Sequence, residues 1–293
     1  MERSLLWRVW ERMLEIEFVD RSIALAGKAF VSFFPLVIVV AAFVPAGIRS
    51  SIITTLTHRL GFRGDALATA QDAFASSDDI RKATGLLGLA LTIFFATSFT
   101  TALQRVYFRA WRRPRRAGAG KYWRGAAWLL AILAFMALLG GLRSALGDGP
   151  GLALFAIASL ALTTGLWWFT AWLLLLGDVR VRVLLPTVLI TGIAITAFAA
   201  SATIWMPSVL TDQEAQFGLF GVALSLVTWF SGAAVCILIG ACAGPVLAED
   251  AGHVGMLVRG GEDSTLTVGA SPPLPPPTGE LTLRDAFQGS EDT

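Results

Sequence analysis

The chain has 293 residues, 55% of them hydrophobic and 15% charged, with a mean hydropathy of +0.67. That composition excludes a single water-soluble domain and points to an all-α polytopic membrane protein. The formal net charge of +2 does not argue for nucleic acid as a partner, because the basic residues stand beside apolar runs where anionic headgroups account for them.

Residues 1–22 read as an N-terminal cytoplasmic segment, too long and too mixed in charge for a cleaved leader. A bundle of six transmembrane helices then occupies 23–248, at 23–47, 85–104, 126–142, 151–177, 183–210 and 217–248. The third is the shortest. The fourth is the plainest: twenty-eight residues from Pro150 to Gly177 carry no charge. As helix they would extend about 42 Å, more than the hydrocarbon core of a bilayer. Between the first two spans, residues 48–84 read as an outer interfacial amphipathic segment. There Ile52, Ile53, Leu56, Leu60, Leu67 and Phe74 recur at helical spacings opposite Ser51, Thr55, His58, Arg59 and Arg63. It would serve as a cap over helix ends or as a lid over a cavity. Residues 249–293, with the run SPPLPPP, read as a disordered cytoplasmic tail.

An even number of spans puts both termini on one side. If that side is the cytoplasm, the inside segments hold sixteen Lys and Arg residues and the outside segments six. The positive-inside rule therefore places both termini in the cytoplasm of a multi-pass plasma-membrane protein. The short loop WRRPRRAGAGKYWR carries most of the excess, and its Arg112, Arg113, Arg115 and Arg116 are expected to contact anionic headgroups at the cytoplasmic face.

Enzyme signatures are missing: the two histidines have no metal-ligand spacing, and there is no P-loop, GxSxG or HExxH. No catalytic residue, cofactor or metal is therefore expected. The adjacent pairs Asp78–Asp79 and Glu249–Asp250 read as solvated charge at span ends. Lys28 is the one ionisable residue inside an apolar span. It would either snorkel to the interface or face a cavity as a substrate or lipid contact. The second span ends in Thr97, Ser98, Thr100, Thr101 and Gln104, whose polar groups suit helix packing or the wall of a polar path.

In the last span Thr228, Gly232, Cys236, Gly240 and Gly244 recur every four residues. That small-residue stripe would let a neighbouring helix approach, or else form a smooth groove wall, with Leu238 toward lipid. Cys236 and Cys242 fall on different helix faces, so no disulfide is expected between them.

Several phrases together resemble the YihY/BrkB family of bacterial inner-membrane proteins over roughly 20–250. They are LAGKAFVSFFPLVIVV with Pro35, TALQRVY, the basic loop with Trp111 and Pro114, RVRVLLPTVLITG with Arg182 and Pro186, and FGLFGVALSLVTWFSGAAVCILIGA with Gly218, Trp229 and Gly240. The resemblance implies six spans, cytoplasmic termini and a role in the bacterial envelope. Relatives usually carry an acidic residue where this chain has Cys242, and often Asn where it has Gln104. A carboxylate at the former position for coupling transport to ions is thus lacking here. The functional expectation is transport or exchange of an amphiphile or small solute, with membrane lipids as partners. The alternative is a structural scaffold for the envelope, and a homo-oligomer is compatible with either.

Overall fold

The computed structural model describes residues 4–43, 78–113, 121–146, 151–175, 179–250 and 255–256. Seven long elements appear there, all α-helical: α1 Leu5–Glu15, α2 Phe18–Phe43, α3 Asp78–Ala110, α4 Lys121–Leu146, α5 Gly151–Leu175, α6 Leu185–Phe217 and α7 Leu219–Ala248. By length and composition α3 to α7 each contain a stretch able to cross a membrane, because a helix satisfies its own peptide groups where no water is available. The chain is a polytopic helical membrane protein. α2 is 26 residues long with Pro35 inside it and joins the same bundle.

The six long helices close into a ring in chain order: α2 on α3, α3 on α4, α4 on α5, α5 on α6, α6 on α7, and α7 back on α2. The α6–α7 contact is the most extensive, and the small-residue stripe explains it. A Cβ on Gly240 would overlap the Thr191 side chain, and one on Gly244 would overlap Thr187. Two bare glycines thus bring α7 against α6 closely enough to gain dispersion contacts, the main force between helices in lipid. Gly232 likewise faces the Phe198 ring of α6. Thr228, at the head of the stripe, is exposed. Leu238 is not toward lipid but 0% exposed, part of a core built with Leu103, Tyr107, Trp111 and Leu174.

Helix ends run beyond the limits read from hydropathy. α3 continues through Arg105 and Arg109 to Ala110, and its first two turns take in residues 78–84 of the expected outer segment. The third span, expected to be shortest, is 26 residues long. At the end of α3 two arginines find carboxylate partners. Arg109 pairs with Glu17 at 3.0 Å, and Arg112 with Glu15 at 2.6 Å. Glu17 sits at the α1–α2 turn, where hydrogen bonding from Arg21, then the nearby Arg109, holds its carboxyl below the usual range. The rest of the outer segment, Arg115 and Arg116, and nearly all of the tail lie outside the described residues.

The N-terminal segment is itself a helix, α1. Ser4 caps it by accepting from the Trp7 amide at 3.3 Å. Arg12, only 4% exposed, donates to the carbonyl of Ala110 at the end of α3 and to Glu249 at 2.9 Å. Arg8 reaches Asp250 at 3.0 Å. Glu249 and Asp250 are therefore ion-paired rather than merely solvated, and α1 lies at the same end of the bundle as the C-terminus of α7.

Candidate functional site

Lys28 lies ten residues into α2, about 15 Å along the helix from Phe18. Its neighbour across the α2–α3 contact is fixed by antiparallel register. Glu17 meets Arg109, so eleven residues further along α2 the chain stands opposite Ser98. The ammonium of Lys28 donates to the Ser98 hydroxyl at 2.8 Å. It points sideways to α3 at its own depth. One turn deeper, Ser32 donates to its own helix at Lys28 and to the Phe95 carbonyl.

Lys28 and Ser98 belong to a pocket of about 220 Å³ that also takes in Thr97, Thr101, Arg105 and Tyr122. At about 100° per residue, Phe94, Ser98, Thr101 and Arg105 share one face of α3, while Thr92, Ala96 and Phe99 occupy the opposite one. Phe94 and Arg105 are exposed. The pocket is therefore an outer groove of the ring, flanked by α2 and the start of α4. Thr97 is buried and its hydroxyl has no hydrogen-bond partner. Gly125 of α4 abuts it so closely that a Cβ there would overlap the hydroxyl.

The electrostatics of this groove are one-sided. Neither Lys28 nor Arg105 is ion-paired among the described residues, whereas Arg8, Arg12, Arg21, Arg109 and Arg112 each pair with a carboxylate. A cation without a counter-charge in such a setting favours an anion, and one with several acceptor oxygens would be held here by charge and by hydroxyl donors together.

The expected polar set thus divides. Lys28, Thr97, Ser98 and Thr101 come together. Gln104 does not: its amide donates at 2.9 Å to the Leu174 carbonyl, one of the last four of α5, which have no partner within their own helix. Thr100 bonds back to Ala96 at 2.9 Å, the ordinary use of a helical hydroxyl. Arg105 is not among the contacts expected from the sequence. Its spacing of seven from Ser98 was the available signal. Arg112 is engaged with Glu15, and Arg113 has its Nε buried.

A second cavity, also about 220 Å³, occupies the middle of the ring and draws residues from all six long helices. Its wall is almost wholly apolar, with Phe33, Phe99, Trp128, Phe135, Trp167 and Phe230 prominent. Such a lining suits apolar groups. Trp128 stacks at a tilt on Phe99, ring centroids 5.0 Å apart, and closes the wall on the α3–α4 side.

No protein-family model, curated protein or solved structure matches this chain.

Proposed function

We propose that the chain is a non-enzymatic six-span protein of the bacterial plasma membrane, of the YihY/BrkB type, that binds an anionic amphiphile and moves it within or across the bilayer. α2 is the sixth crossing, and both termini face the cytoplasm. The observation that carries this reading is the outer groove: two cations without carboxylate partners among the described residues, Lys28 and Arg105, stand beside the hydroxyls of Ser98, Thr97 and Thr101. The positive-inside rule puts the groove at the inner leaflet, within reach of a phosphate or carboxylate headgroup while the acyl chain stays in lipid. Phosphate is well matched, because lysine serves it as a point charge and arginine as a planar fork. The central apolar cavity offers acyl groups a place to pass or rest. Lipids are thus the partners, with neither nucleic acid nor metal in the mechanism.

Reconstituted vesicles test movement as distinct from binding. With a fluorescent anionic phospholipid in both leaflets, wild-type protein should let an external quencher reach the inner-leaflet pool at least several-fold faster than protein-free vesicles allow. Lys28→Ala and Arg105→Ala should each slow that step. If wild type gives no flux although it still retains anionic lipid, the scaffold reading replaces this one.

A further inference from the structure

α1 carries three faces rather than two. At about 100° per residue, Val9, Arg12 and Met13 form one face, Leu6, Trp10 and Leu14 a second, and Arg8, Glu11 and Glu15 a third, spaced about 120° apart. The first meets the bundle: Arg12 is buried there, and Met13 packs against the core. The second is largely exposed, with Leu6 83%, Trp10 54% and Leu14 62% exposed. The third is polar and holds Arg8 to Asp250 and Glu15 to Arg112. Trp7 lies on the border between apolar and polar faces, its indole nitrogen donating to Glu11 at 2.8 Å.

The depth and roll of α1 are set by these partners. Ala110 closes α3, and Glu249 and Asp250 follow the last residue of α7, so Arg12 fixes the helix at the plane where the spans end. Asp250 and Arg112 stand beyond that plane, which turns the polar face away from the membrane. The apolar face is then turned toward it. That face continues into α2, where Val19 and Ile23 are each 64% exposed on a helix rising into the bilayer.

We infer that α1 is an in-plane interfacial helix whose partner is the lipid surface of the leaflet on the terminal side. Leu6, Trp10 and Leu14 are immersed at the headgroup–acyl boundary, and Trp7 sits at headgroup level. Helices with one strongly apolar and one charged face bind membranes in this way, and tryptophan favours that boundary. The inference rests on the helices crossing a bilayer and stands apart from the amphiphile reading, because none of its residues lines the Lys28 groove.

Spin labels on the full chain in lipid nanodiscs test it. Single cysteines would replace Leu6, Trp10, Leu14 and, on the polar face, Glu11, with the unsubstituted protein giving the background from Cys236 and Cys242. Collision with membrane-soluble oxygen should exceed collision with a water-soluble nickel chelate at positions 6, 10 and 14, and the order should reverse at 11. Leu6 is exposed enough that its replacement leaves folding intact, so that site decides should Trp10→Cys express poorly. Higher nickel access at all four sites would overturn the inference. So would labels at 6, 10 and 14 shielded from both reagents, which would mean that a second copy of the chain covers the face.

Discussion

Gly240→Leu should be the most damaging single change in the bundle, lowering the detergent melting temperature by roughly 10 °C. The position is buried and already in contact with Thr191, so a side chain must push α6 and α7 apart. Overpacking a close contact costs about 3 kcal/mol at the upper end of the usual range. The loss is amplified because α6–α7 is the broadest contact in the ring and relies on dispersion at short range. Gly165→Leu is the matching control, since a Cβ there meets nothing within 4 Å. It should melt as wild type does. An unchanged melting temperature for Gly240→Leu would mean that the stripe does not carry the packing.

Arg12→Met should come next, at about 3 kcal/mol. Methionine keeps the stem but leaves Glu249, 21% exposed, without its cation and the Ala110 carbonyl without a donor. Removing one member of a buried pair costs more than removing both. The double variant Arg12→Met with Glu249→Gln should therefore recover part of the loss. Thermal melting of the three proteins checks this. A double variant no more stable than Arg12→Met alone would show that Arg12 acts by packing rather than by charge.

The spans were legible because lipid imposes a one-dimensional rule: a long run without charge must be helix, and five such helices stand where hydropathy put them. Their ends were not legible in the same way. Arg105, Arg109 and Tyr122 to Arg124 lower the local hydropathy, yet α3 and α4 run through them, and Arg109 finds its partner in Glu17 of the α1–α2 turn. No hydropathy window contains that information. α1 itself left a signal, the four-residue spacing of Leu6, Trp10 and Leu14 against Arg8 and Arg12, which was overshadowed by the mixed charge of the segment.

Facing was the harder problem. That Gly240 and Gly244 meet another helix follows from their size, whereas the burial of Leu238 depends on which side of α7 the rest of the ring occupies. Lys28 was recognisable from its type and place alone. Its grouping with Ser98 and Arg105 depended on the antiparallel register of α2 and α3, set at the far end by Glu17 and Arg109. Gln104, polar and adjacent in sequence, was turned by the same helix to cap α5 instead.

Lipid retention in native mass spectrometry addresses the central claim most directly, with anionic and zwitterionic phospholipids of equal chain length in competition. Wild type should keep anionic lipid preferentially, Lys28→Ala with Arg105→Ala should lose that preference, and Arg112→Ala, altered outside the groove, should keep it. Equal retention of anionic lipid by all three proteins would contradict the assignment of the groove as the headgroup site.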